Sequence, residues 1–375
     1  MTKVEHSKIS ATQFMFAIVC FIRSSSLLSA LFASITNQDS WIVVIFGMIV
    51  CLPVIWVYVS LAKAFPRLNL IQINNQVFGR IAGKVISALY IWCFFTLTAL
   101  NLRDLGGFVN RAIMTRTPQI VIIIIFILLC AWAVYYGLEV VTRYSIYFIA
   151  ISTTILVTSI FFITLNIDFK NFLPIFDQPI YSYIQGTHIL SVIPFGELVV
   201  FLMVTPYVDI KAKKLSRYFF GGFLIGGSLI LLVILRDIAV LGNVIKYLSL
   251  PSFETFRLAT LFKSVSHMEI LFSVLLIILL YFKISFLFYV SLLAVSHFFH
   301  IKTYRPLILP SAAIIVTYSI LIFENRMQHI MISRETAPFF WPLFEMILPF
   351  ITLIAAYIKK AAKKDKADNK EAPAA

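Results

Sequence analysis

Apolar runs about as long as a bilayer is thick recur from one end of this chain to the other, joined by short loops. A hydrocarbon core about 30 Å thick takes roughly 20 apolar residues as helix to cross. Inside it every backbone group must be satisfied within the protein, which leaves helices or a closed barrel. The runs are continuous rather than alternating, so helices are expected. The clearest, Ile120–Val134, holds no polar side chain. Composition agrees. Of 375 residues, 61% are apolar and 13% charged, against about 45–50% and 25% in a soluble domain. An ordinary soluble globule is excluded, and a polytopic, all-α integral membrane protein is predicted.

Runs bounded by polar residues, Pro or Gly place ten spans, near 11–35, 41–61, 85–108, 119–136, 143–165, 188–206, 218–240, 268–295, 306–323 and 340–357. Basic residues test that count. With the amino terminus inside, the segments on its side hold 19 Lys and Arg and those on the other side 8, while Arg23, Arg103, Arg236 and Lys283 fall within spans. The positive-inside rule then predicts both termini cytoplasmic, which accounts for the net charge of +14 without nucleic acid. The chain reads as one membrane domain over 1–360, followed by a disordered Lys-rich tail, 361–375, beside anionic lipid. Leu70–Phe78, between spans two and three, reads as a short interfacial helix. No removable signal peptide is expected, because the first apolar run carries Arg23 and three serines without a cleavage-type end.

Two spans are interrupted. Span one carries Ile22-Arg23-Ser24-Ser25-Ser26-Leu27, four consecutive polar residues near mid-membrane. Span six carries Ile193-Pro194-Phe195-Gly196-Glu197, where Pro removes a donor and Glu is ionisable. Singly, each has an ordinary explanation: serines bond back to the preceding turn, and Pro53 and Pro349 also lie in spans. As first and sixth of ten, the breaks match a five-plus-five inverted repeat, about 8–165 and 188–357, with discontinuous helices flanking a midplane site. Half-helix amino ends there offer N–H groups to a carboxylate, and freed carbonyls receive an ammonium or cation.

Among intramembrane ionisable residues, Lys283 lies mid-span in the eighth helix, too deep to snorkel, and requires a partner. Glu197 and the carbonyls of the span-one break are the candidates, with a structural ion pair as the plain alternative. Glu197 itself is a candidate proton site. Arg103–Asp104 and Arg236–Asp237 read as snorkelling or structural pairs, and Glu345 in span ten as structural. Cys20, Cys51, Cys93 and Cys130 read as packing residues and the six histidines show no metal-ligand spacing, so neither metal nor cofactor is implied. No P-loop, GxSxG, HExxH or Rossmann glycine pattern occurs, and an enzyme is not expected.

From Lys8 to about Lys360 the chain resembles the spore germinant receptor B subunits, the spore-permease branch of the amino acid–polyamine–organocation transporter superfamily. The resemblance rests on the order and spacing of several features: Lys8-Ile-Ser-Ala-Thr-Gln-Phe14, the polar break with Leu27-Leu28, Arg116-Thr-Pro118, Pro194-Phe-Gly-Glu197, Leu250-Pro-Ser-Phe-Glu254 with Arg257, Glu269, Lys283, and Leu348-Pro349. It implies ten helices in a five-plus-five inverted repeat with helices one and six broken. It also implies nutrient sensing in the inner membrane of a dormant spore, alongside a larger A-type subunit and a lipoprotein C-type subunit. Its ligands are typically L-amino acids, sometimes with sugars, nucleosides or ions. The family pocket maps onto Ser24, Ser25 and Ser26, onto Cys93 and Leu97 in span three, onto Phe195, Gly196 and Glu197, and onto Phe282, Lys283 and Ser285. Arg23 and Pro194 mark the helix breaks. Many relatives carry glycine in the span-one break; three serines here narrow that space and add hydroxyls. A proton-coupled amino acid permease using Glu197 or Lys283, and a channel-like path, remain open at this level.

Overall fold

A computed structural model describes residues 8–25, 29–164, 167–258 and 268–371. The chain is helical almost throughout. Its helices are α1 (Ala11–Arg23), α2 (Ser29–Thr36), α3 (Ser40–Ala64), α4 (Leu70–Phe78), α5 (Arg80–Ala112), α6 (Gln119–Tyr135), α7 (Leu138–Ile163) and α8 (Ile180–Leu190). After them come α9 (Ala212–Leu241), α10 (Pro251–Leu258), α11 (Glu269–Phe298), α12 (Ile308–Leu321), α13 (Arg326–Met331), α14 (Ala337–Phe340) and α15 (Leu348–Glu371). Among the described residues, seven helical runs are long and apolar enough to cross a membrane, and three further apolar helices, Ala11–Arg23, Gln119–Tyr135 and Arg305–Leu321, are shorter. The ten predicted runs overlap these helices, of which length and apolarity qualify seven as crossing a membrane. The last helix continues to Glu371, into the Lys-rich end expected to be a tail.

Local chemistry fixes several ends. Ser10 caps α1 in a reciprocal box, its Oγ accepting from Gln13 N at 3.1 Å while Gln13 Oε1 accepts from Ser10 N at 2.8 Å. Asn69 and Gln72 repeat the box at α4, the helix anticipated at Leu70–Phe78, and its Leu70, Ile71, Ile73 and Val77 are buried, packing it onto the bundle. A two-residue parallel bridge pairs Ile9 with Val208 and Ser10 with Asp209. It fastens the start of the first span to the end of the sixth.

The core is a contiguous aromatic and aliphatic mass in which α1 and α11 are almost wholly enclosed. α1 lies against α9 through small residues: a Cβ at Gly222 would come within 2.9 Å of both the Met15 carbonyl and Ile18, so only glycine permits this approach. Outward faces stay apolar, with Ile49, Trp56, Ile125, Trp132, Phe161 and Leu321 all exposed. That is the surface a helix bundle presents to lipid rather than to water.

Candidate functional site

The sixth span is interrupted where the sequence predicts. In the first, α1 ends at Arg23, Ser24 and Ser25 follow in a tighter turn and α2 begins at Ser29, while Ser26, Leu27 and Leu28 lie outside the described residues. Ser24 ends α1, its Oγ 2.6 Å from Cys20 O and 2.7 Å from Leu279 O, which anchors the break to α11. In the sixth span, α8 ends at Leu190 and gives way to wide turns over Ser191–Phe195, with Ile193 at φ −118° and ψ 112°, outside helical geometry. Tight three-residue turns follow over Gly196–Met203. Pro194 has no N–H to continue an α-helical ladder, so the departure begins where sequence places it.

The two breaks meet across α11. Lys283 is fully buried; its Nζ lies 2.5 Å from Glu197 Oε2, 2.7 Å from Ser25 Oγ and 4.7 Å from the centre of the Phe21 ring. Glu197 and Ser25 are themselves 3% and 5% exposed. One ammonium thus gathers the first break, the sixth and the eighth span into a single polar node. In a medium without water this has two consequences: the charges stabilise each other strongly, and removing one strands the other.

The remaining expected residues divide. Phe195 is buried with its ring centre 5.1 Å from that of Phe223. Cys93 and Leu97 are buried on α5. Phe282 stacks on Phe286, which stacks on Phe201 at 4.6 Å, forming an aromatic wall beside the node. Ser285 faces elsewhere: two residues past Lys283 turns it about 200° around α11, and its side chain meets Cys130 of α6 and Tyr281. Arg23, the last residue of α1, is buried and has Arg236 and Asp237 of α9 as electrostatic neighbours. The pairing expected for Arg236 is present: Asp237 Oδ1 lies 2.5 Å from its Nη2. Arg103 donates to the carbonyls of Ser319, Ile320 and Phe323, and Asp104 lies 3.6 Å from His329.

Sequence reasoning undervalued span ten. Between Leu343 and Ile347 its turns widen, and Leu348 N bonds back five residues to Leu343 O. Pro349 lacks the N–H that Phe344 or Glu345 would otherwise use. Two tyrosines supply it instead: Tyr90 donates to Phe344 O at 2.8 Å, and Tyr58 to Glu345 O. The Tyr58 hydroxyl also lies 2.9 Å from Gly196 O, so one phenol spans both distorted segments. The Glu345 carboxylate sits directly on Gly196, where a Cβ would approach Oε2 to 2.3 Å. The readable signal was Pro349, four residues after a buried acid.

On the side of the break away from the termini, a cavity of about 400 Å³ adjoins α2. Arg103, Arg111, Lys246 and Arg334 line it beside Asp104 and Glu324, giving it an excess of positive charge. No cluster of three or more His, Cys, Asp or Glu suited to a metal occurs among the described residues, and the four cysteines are buried and unbridged.

Known proteins fit this architecture. Mhp1, a nucleobase-cation-symport-1 family transporter solved closed with bromovinylhydantoin bound, superposes with a TM-score of 0.68 at 13% identity, over 92% of this chain and 76% of its own. MhsT in complex with L-phenylalanine gives 0.58 at 11% identity, over 94% and 99%. Those likenesses establish the fold, that of the LeuT-type transporters with helices one and six broken. In sequence, spore germination protein KB of Bacillus subtilis (strain 168) is 25% identical over 375 residues, covering 97% of this chain and 99% of that protein. Spore germination protein A2 of the same organism is 26% identical over 242 residues, 62% and 64% of the two chains. The family model described as spore germination protein matches residues 8–327. The chain therefore belongs to the spore permeases, the spore germination protein family.

Proposed function

We propose that this chain is the nutrient-binding membrane subunit of a spore germination receptor. It takes a small nutrient, with amino acids as the expected class, between its broken first and sixth helices, and signals to A-type and C-type partner subunits. It crosses the spore inner membrane ten times, with both termini on the core side. The observation that carries this reading is the Ser25–Lys283–Glu197 node, which links both breaks to α11. A ligand carboxylate or ammonium that competes for one member of that node loosens its hold on the others. Ligand binding then favours one arrangement of the bundle over another, which is the thermodynamic requirement for a signal. The cavity beside α2, with its basic lining, offers an approach for a ligand bearing a carboxylate.

A ligand screen by thermal stabilisation of the purified chain tests the reading. The expected result is a rise in Tm that grows with ligand concentration for one or a few nutrients. That rise is lost in Lys283→Ala and diminished in Ser25→Leu. If no amino acid, sugar or nucleoside stabilises the protein, and spores carrying both variants germinate normally at normal protein level, the site is refuted. The fold shared with transporters supports a second reading, a proton-coupled amino acid permease. Uptake of labelled amino acid into vesicles would favour it, whereas binding without flux favours the receptor.

A further inference from the structure

Glu345 is an intramembrane acid in the centre of the bundle that the ligand site does not use. It is fully buried, and neither carboxylate oxygen has a hydrogen-bond partner among the described residues. Its neighbours are specific. α3 presents the Tyr58 phenol and the Cys51 thiol, α5 presents the Tyr90 phenol and Cys93, the sixth span presents Glu197, and α11 presents Lys283. Lys283 is the basic group among them, and it is 2.5 Å from Glu197. The phenol protons are directed at carbonyls: Tyr58 to Glu345 O or Gly196 O, and Tyr90 to Phe344 O. Glu197 and Lys283 cancel, so an ionised Glu345 would leave one uncompensated negative charge in this interior. Such a charge carries a desolvation cost far above that of a neutral buried carboxyl.

Gly196 closes one side of Oε2, where a Cβ would stand 2.3 Å from that oxygen. No group of three or more His, Cys, Asp or Glu that could hold a metal ion occurs among the described residues, and a single proton is enough to neutralise the carboxylate. We propose that Glu345 is a proton-binding site, neutral while packed against Gly196, that titrates when the sixth span moves off it. The proton comes from water and returns to water, and no bond other than the carboxyl O–H is made or broken. Glu197 and Lys283, the acid and base of the ligand node, hold each other and leave this role to Glu345. A carboxyl wedged against the hinge residue of the sixth span couples proton uptake to that hinge: charging Glu345 favours water entry and separation from Gly196, and protonation favours contact. This holds whether the bound nutrient is sensed or transported.

Infrared difference spectroscopy on the full chain in vesicles reads it directly. At neutral pH the protein should show the C=O stretch of a protonated buried carboxylic acid, shifted by labelling with carbon-13 glutamate. Glu345→Gln should remove that band, while Asp104→Asn keeps it, as does the double replacement Lys283→Met with Glu197→Leu, which removes both charges of the node together. Should Glu345→Gln fail to fold, that double variant still decides: the glutamate band must survive in it. Absence of any glutamate-shifted band at neutral pH, or its loss in the Lys283→Met/Glu197→Leu variant, overturns the proposal. Neither outcome bears on whether a nutrient binds at Lys283, which the stabilisation screen reads separately.

Discussion

Among the described residues two ion pairs are buried in the bundle, and they are built differently. Arg236 and Asp237 on α9 are saturated: Arg236 Nε is 2.9 Å from Asp237 Oδ1, its Nη1 reaches Ser159 Oγ at 3.0 Å, Ser252 Oγ donates to Asp237 Oδ2 at 2.5 Å, and the guanidinium lies 4.8 Å from the Phe256 ring centre. Lys283 and Glu197 instead join three separate segments with Ser25 in support, beside a carboxylate that has no hydrogen-bond partner among the described residues. A fully bonded pair within one continuous helix and its neighbours fixes a structure. A sparsely bonded pair that bridges two helix breaks has bonding capacity left for a guest and elements able to move. Buried polar networks are costly when incomplete, so incompleteness where the two interrupted spans meet points to use rather than to scaffolding.

The contrast can be broken experimentally. Asp237→Ala should be the most damaging change, about 3–5 kcal/mol, because it strands a buried guanidinium; the yield of folded protein and its unfolding midpoint in detergent measure this. Lys283→Ala should approach that cost by stranding Glu197. The double replacement Lys283→Met with Glu197→Leu should recover most of it, since buried pairs exchanged for apolar residues of similar volume are often near neutral. It should nevertheless abolish nutrient-induced stabilisation. An equal loss from single and double variants would show that the node is structural after all.

Gly196→Ala should cost about 1–3 kcal/mol by overpacking against Glu345. A double-mutant cycle with Glu345→Ala should show positive rescue, and strict additivity would mean the two do not touch. Tyr58→Phe removes the donor bridging the sixth and tenth spans and should cost about 1 kcal/mol, with a larger effect on ligand response than on stability. Smallest of all, Arg143→Ala breaks an exposed i,i+4 pair with Glu139 on α7 and should cost about 0.3–0.5 kcal/mol, fading as salt rises.

Much of the fold was legible because lipid simplifies the problem: length and apolarity alone mark a crossing helix, and Pro194 with Gly196 marks a broken one. Lys283 was legible as a residue in need of a partner for the same reason. Ser285 shows the limit. Adjacent in sequence to the node, it faces α6 because each residue turns a helix by about 100°, and no reading of the motif without the neighbouring helices distinguishes the two directions. Glu345 shows it more sharply. Its importance arises from contact with Gly196, 149 positions earlier in the chain, and from Pro349 leaving carbonyls that Tyr58 and Tyr90, from two other helices, must serve.

The amino-acid order by itself determined that this protein lives in a bilayer, where its helices lie, and which two of them are candidates for interruption, since each of those facts follows from local hydration and backbone bonding. Only the packed bundle decided that Glu197 is the acid facing Lys283, that Ser25 completes the pair, and that the Glu345 carboxylate stands beside it with no hydrogen-bond partner among the described residues. Those are matters of which side chains share a few ångströms of dry space, and proximity in space is set by how helices pack, not by where residues fall along the chain.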